Sequence, residues 1–181
     1  MSDPGDSSGI AEGPDPEPDQ QPCITAGIVE DGGDWSALPH IQALVEQATA
    51  IVADAPELAI GAAEVSVALS SDENVRKLNA AYRGLDKPTN VLSFPPPPGM
   101  AIPGQPRFLG DIVLAAETIV AEAEAQGISP ADHLRHLVVH GLLHLLGFDH
   151  ETDEEAERME RLEAILLRRL GIADPHADIA L

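Results

Sequence analysis

The sequence predicts an α+β domain: short strands come early, longer helices come late, and the strands share one mixed sheet. Three observations carry this. Residues 64–70 alternate, with Val65, Val67 and Leu69 on one face, which is the period of a half-buried strand. The last third of the chain repeats apolar residues at helical spacing, and Gly127 and Gly147 sit where helices would end. Between these regions, four prolines at 95–98 halt any regular element.

The elements follow in order. Residues 1–22 hold six acids and no base among Pro, Gly and Gln; such a segment buries too little apolar surface to offset its ordering entropy, so a disordered acidic tail is expected. Residues 23–181 then form one domain. Residues 24–30 are β-like. Residues 39–53 place Ile41, Leu44, Val45, Ala48, Ile51 and Val52 at helical spacing, with Pro39 in the first turn. After the strand at 64–70, Ser71 or Asp72 caps a helix carrying Val75, Leu78, Ala81 and Tyr82, which Gly84 ends. Residues 89–94 are a second β-run, 95–107 a Pro/Gly loop and 108–115 a further strand. Three helices are expected over 116–126, 130–146 and 152–170. No internal repeat is present.

Size and composition set limits on function. A chain of 181 residues with 44% hydrophobic residues supports a single real core. One cysteine, Cys23, excludes an internal disulfide and a four-cysteine zinc site. The first nine residues lack the charged-then-apolar pattern of a secretory signal, and no apolar run approaches the ~20 residues that span a bilayer. A cytoplasmic protein without a membrane role is expected.

The formal net charge of −21 repels nucleic acid at long range. The distribution is uneven. Residues 151–163 add seven acids against two arginines, whereas residues 74–107 hold Arg76, Lys77, Arg83, Lys87 and Arg107 against Asp86 alone. That stretch is locally +4, the one place where a phosphate approaches favourably.

The chemistry concentrates at residues 140–150, H-G-L-L-H-L-L-G-F-D-H. His140 and His144 are four apart and project from one helix face. Gly147 can take the left-handed conformation that ends a helix, and the chain can then return His150 to the same point. Three imidazoles with one open position is the arrangement of a catalytic zinc. The spacing matches the metzincin signature at its three histidines and its glycine. It departs at Gly141, where metalloproteases place the glutamate that serves as general base. Ordinary peptide hydrolysis is therefore disfavoured, although a zinc ion lowers the pKa of bound water toward ~7 unaided.

Other residues are weaker candidates. His136, one turn before His140, lines the cleft or packs, with a fourth-ligand role as the alternative. His133 is expected at the surface. His40 and His176 lie outside the cluster and are assigned nothing. Asp149 either fixes a ligand imidazole's tautomer or stabilises the turn. Ser93 and Asp111 either orient the cleft or serve the fold.

Several segments together resemble the YbeY family of bacterial ribosomal-RNA maturation factors. They are Leu78-Asn79 with Tyr82-Arg83-Gly84, then Asp86-Lys87-Pro88-Thr89-Asn90-Val91-Leu92-Ser93-Phe94, then Leu109-Gly110-Asp111-Ile112-Val113, then the histidine segment and the acidic helix after it. The resemblance runs from about residue 65 to the C-terminus. It implies a mixed four-stranded sheet flanked by helices, and one zinc ion per chain on His140, His144 and His150. It implies a metal-dependent, single-strand-specific endoribonuclease acting in 16S ribosomal RNA 3′-end maturation and ribosome quality control. Arg83 matches the arginine that the family uses in its cleft, and a guanidinium fork suits phosphate oxygens. Partners implied are ribosomal RNA and the small ribosomal subunit, but not DNA. The acidic tail and net charge depart from the family pattern, so a ribosomal protein or assembly factor would supply the missing attraction. Two rival classes remain: a zinc hydrolase of another substrate, disfavoured by Gly141, and a non-enzymatic ribosome assembly factor, disfavoured because structural zinc is usually closed by four ligands.

Overall fold

The computed structural model describes residues 21–177; the expected disordered tail, 1–22, lies outside the described residues except at positions 21 and 22. The elements run β1 (Cys23–Glu30), α1 (Ile41–Ala53), a 3-10 turn (Pro56–Leu58), β2 (Ala62–Ser70), α2 (Asp72–Arg83), β3 (Val91–Phe94), β4 (Arg107–Ala115), α3 (Ala116–Gln126), α4 (Pro130–Leu145) and α5 (Asp153–Arg169). The sheet order is β1-β2-β4-β3. β1 pairs with β2 and β2 with β4 in parallel, while β3 closes the far edge antiparallel to β4. The sheet is thus mixed and four-stranded, and the chain is α+β.

Alternation along the strands divides the apolar residues between two faces. Val65, Val67 and Leu69 of β2 share the larger core with Ile112 and Leu114 of β4 and with α1, α4 and α5. The intervening Val113 and Ala115 face the other way, with Leu92, onto Val75 of α2. α4 lies deepest: Leu134, Val138, Val139, Leu142 and Leu143 are fully buried. Each such side chain contributes roughly 1.5–3 kcal/mol on leaving water, so α4 is a firmly packed platform for the residues at its end.

The helix starts follow their caps. The Ser71 hydroxyl accepts from the Asn74 backbone N–H, and Ser129 accepts from Asp132 with Pro130 in the first turn. Thr152 and Glu155 form a reciprocal capping box at α5. α3 has no cap of its own; Asp72 Oδ1 accepts from both the N–H and the hydroxyl of Thr118, at 2.9 and 2.8 Å. Glu117 returns the favour by accepting the Asp72 N–H at 2.8 Å. α2 and α3 therefore begin side by side.

The start of α1 differs from expectation. The helix begins at Ile41, because His40 takes the left-handed conformation (φ 60) and Pro39 belongs to the preceding turn. Leu38 is buried there, its N–H donating to the Trp35 carbonyl. The β-run placed at 89–94 is strand only over Val91–Phe94. No helix among the described residues is long and apolar enough to cross a membrane.

Candidate metal centre

α4 carries His140 and His144 to its end, and a specific stop returns His150 to them. Gly147 sits at φ 93 just past the cap residue Leu146. The Gly147 N–H donates to the His144 carbonyl and the Phe148 N–H to the Leu143 carbonyl, both at 3.0 Å. This paired closure is the Schellman motif, and glycine is suited to its left-handed position. Phe148 then packs against the core, with the Arg158 guanidinium over its ring at 5.2 Å. Asp149 accepts the N–H of His150 at 2.8 Å. It acts on the turn, not on a ligand imidazole.

One ligand nitrogen from each of His140, His144 and His150 lies within 4.8 Å of the other two. The Nε2 atoms of His140 and His144 are 3.1 Å apart. Two nitrogens bound at ~2.0–2.1 Å to one tetrahedral ion lie about 3.3 Å apart, so the separation suits a shared ion with little adjustment. Burial, and then the charge of His140 and His150, push the His144 pKa below its ordinary value. The neutral form that ligates a metal is therefore favoured. The donor set fits a divalent cation that accepts imidazole nitrogen.

The largest surprise lies behind the ring of His140. Glu163 of α5 is only 2% exposed. Its Oε1 meets His140 Nδ1 at 2.8 Å, and its Oε2 meets His136 Nε2 at 3.2 Å and His176 Nε2 at 2.9 Å. Burial alone would raise its pKa. Hydrogen bonds from His136 and His140, and their charge, hold it well below the usual carboxylate range. His136, His140 and Glu163 form a second group whose donor atoms converge within 4.8 Å. A cleft of about 930 Å³ runs from His140 and Glu163 past His136 and His176 to Asn90, Glu122 and His133.

Glu163 was hidden in the acidic run at 151–163. A signal existed: Met159, Leu162, Leu166 and Leu167 make the buried stripe of α5, and Glu163 falls on that stripe. A charge at a core position asks for a partner. His176, assigned nothing from sequence, reaches that partner from beyond α5. His133 is a correction. It is 3% exposed rather than at the surface, and its Nε2 meets Glu122 Oε2 at 2.7 Å. One helical turn separates His133 from buried Leu137, so both share the inward stripe of α4.

Gly141 has a steric meaning. A Cβ there would lie 3.1 Å from both Ile112 Cδ1 and Ser93 Oγ. The Ser93 hydroxyl donates to the Gly141 carbonyl at 3.2 Å, so Ser93 serves the contact of β3 with α4. A side chain at 141 would begin in tight contact with Ile112 and Ser93, which would have to shift to admit it.

Arg83 is not brought into this cluster. It ends α2, is exposed, and makes no ion pair among the described residues; nor does it line the cleft shared by His133, His136, His140 and His176, which His144 and His150 do not line either. Arg76 pairs with Asp86, the acid already counted in the +4, at 2.6 Å, and Lys77 pairs with Glu73, just outside the stretch, at 3.0 Å. Beside Arg83, Tyr82 is 70% exposed and meets the Phe94 ring edge-on at 5.0 Å.

Residues 33–171 match the family model described as endoribonuclease YbeY. Among curated relatives, an endoribonuclease YbeY of Rhodopseudomonas palustris is 49% identical over 151 residues, covering 83% of this chain and 80% of that protein. One of a Chelativorans species is 49% identical, covering 86% and 95%. One of Rhodospirillum rubrum is 52% identical, covering 81% and 78%. A solution structure from Thermotoga maritima is 28% identical, covers 84% of this chain and 97% of that chain, and superposes with a TM-score of 0.48.

Proposed function

The chain belongs to the endoribonuclease YbeY family, and from that premise we propose that it is a zinc-dependent, single-strand-specific endoribonuclease acting in 16S ribosomal RNA 3′-end maturation and ribosome quality control. The observation that carries this reading is the convergence of His140, His144 and His150 at the end of α4. A bound zinc ion would supply Lewis acidity and a water of lowered pKa.

The chain's own residues supply the rest. The three imidazoles would hold the ion as neutral donors from one side, leaving its other side to the solvent and the substrate. Arg83 would neutralise charge developing on the phosphate, through a fork that matches two phosphate oxygens. Arg83 sits on the exposed end of α2, so the RNA strand would run between α2 and the histidines, and Tyr82 offers an exposed face on which an unpaired base could stack. That supports a single-stranded substrate. The packed Gly141 leaves no glutamate base beside the metal, which weighs against a peptidase.

The net charge of −21 opposes unaided RNA binding. Ribosomal RNA would therefore be met within the small subunit, where a ribosomal protein or assembly factor contributes affinity. The test is cleavage of matched single- and double-stranded RNAs by purified protein, with metal content measured on the same sample. Zinc near one ion per chain with cutting of the single strand alone is expected. Metal-loaded protein that cuts neither RNA would favour an assembly factor, and cutting of peptides would favour another hydrolase.

A further inference from the structure

A buried carboxylate surrounded by three imidazoles calls for a role, because only one of the three belongs to the histidine triad. Glu163 offers two oxygens and both are used. Oε1 takes His140 Nδ1 at 2.8 Å; Oε2 takes His136 and His176 at 3.2 and 2.9 Å. The first contact fixes chemistry. With the proton of His140 on Nδ1 and directed to Glu163, the lone pair sits on Nε2. That atom lies 3.1 Å from His144 Nε2, on the side where the triad converges. A ring turned over would present carbon to both the metal and Glu163, and the other tautomer would leave Nε2 without a lone pair for the ion and Glu163 without one of its donors. The second and third contacts fix position. His136 comes from the previous turn of α4, and His176 comes from the segment after α5. The carboxylate is therefore clamped from both sides and has little freedom to leave His140.

We propose that Glu163 is the positioning residue of the metal centre: it selects the His140 tautomer that directs Nε2 to the ion, and His136 and His176 hold it in place without themselves binding metal. This deepens the proposed function and rests on its three-histidine site. The alternative use of the same atoms is a second cation held by His136, His140 and Glu163. That arrangement would strip the Nδ1 proton from His140 and leave its ring shared between two ions. The hydrogen-bond distances around Glu163 favour the single-ion form, since they already satisfy both oxygens.

Hydrogen-bond partners behind a metal-bound histidine typically change metal affinity about 10–100-fold when mutated. The experiment titrates metal-free full-length protein with Zn²⁺ and with Co²⁺, recording the dissociation constant, the stoichiometry and the visible Co²⁺ spectrum. Glu163→Gln keeps shape and loses the charge; Glu163→Asp keeps the charge and shortens the reach to His140. Both should bind metal about 10–100-fold more weakly than wild type, with a shifted Co²⁺ spectrum and stoichiometry still near one. His176→Ala should change affinity less than either and leave stoichiometry at one. Wild-type affinity and spectrum in both Glu163 variants would overturn the proposal, as would two ions per wild-type chain falling to one in Glu163→Gln. A purely structural role would lower the melting temperature of the metal-free protein but leave the Co²⁺ spectrum of the loaded protein unmoved. If wild type binds no metal at all, the proposed function fails first; if wild type binds and the variants match it, this inference alone fails.

Discussion

α2 and α4 both end on glycine in the left-handed conformation, and both carry a candidate functional side chain in the last turn. Gly84 follows Arg83 directly at φ 70, and Gly147 comes three residues after His144 at φ 93. The resemblance stops there. The end of α4 is backed by a row of fully buried leucines and valines, and behind His140 stands a buried glutamate. The end of α2 is exposed: Arg83 touches no partner among the described residues, and Tyr82 faces solvent. One end is a finished site made by the chain itself. The other gains a purpose only from something that arrives. Packing fixes the first, and under the proposed function the RNA would complete the second.

Substitutions can break this contrast or sharpen it. The largest effect belongs to the finished end. His144→Ala should lose nearly all bound metal and all RNA cleavage, read by metal analysis and gel assay; retained stoichiometric metal would remove His144 from the site. Next comes the open end. Arg83→Glu should cut cleavage by about 10²–10³-fold, the usual cost of losing a group that stabilises transition-state charge. Metal content should be unchanged, and stability should stay within about 0.5 kcal/mol, as for surface changes generally. A variant that cuts normally would reduce Arg83 to a surface cation.

A third substitution probes the packing beneath the finished end. Gly141→Ala places a methyl group 3.1 Å from Ile112 and Ser93, so it should cost about 1–3 kcal/mol by denaturant unfolding. Unchanged stability would mean that β3 and β4 yield there easily. Smaller still is the effect of salt. If the substrate makes two phosphate contacts at the open end, raising salt from about 50 to 200 mM should weaken single-stranded RNA binding roughly sevenfold. An affinity independent of salt would move the contact elsewhere.

The smallest effect concerns the metal-free protein and pH. The His144 pKa is lowered in the fold by burial and by its histidine neighbours. The unfolded chain therefore takes up a proton that the native state resists. Stability from this group is intact above about pH 6.5, the unfolded value, and falls as pH drops below it toward the native value. Denaturant midpoints measured across that range should decline with acid, and His144→Ala should flatten the decline.

The sequence reveals these two ends unequally, for a physical reason. A helix fixes the angle between residues four apart, so the convergence of His140 and His144 follows from counting, and Gly147 supplies the stop. The alternation of Val65, Val67 and Leu69 likewise leads directly to the sheet. Glu163 escapes such counting because it lies on another helix, 23 positions from His140, and only packing brings α5 against α4. His133 shows the same limit. Its place on the inward stripe follows from α4, but its partner Glu122 lies on α3, and nothing local to α4 announces it. Only the family resemblance suggests a role for Arg83, while the fold leaves it at the surface with no ion pair among the described residues.

The most direct test of the account is the coordination shell of the metal in the purified wild-type protein, measured by X-ray absorption at the zinc edge. Three nitrogen donors of imidazole type at ~2.0–2.1 Å with one oxygen donor are expected. A sulfur donor, four imidazoles, or zinc absent from active protein would contradict a catalytic site built on His140, His144 and His150.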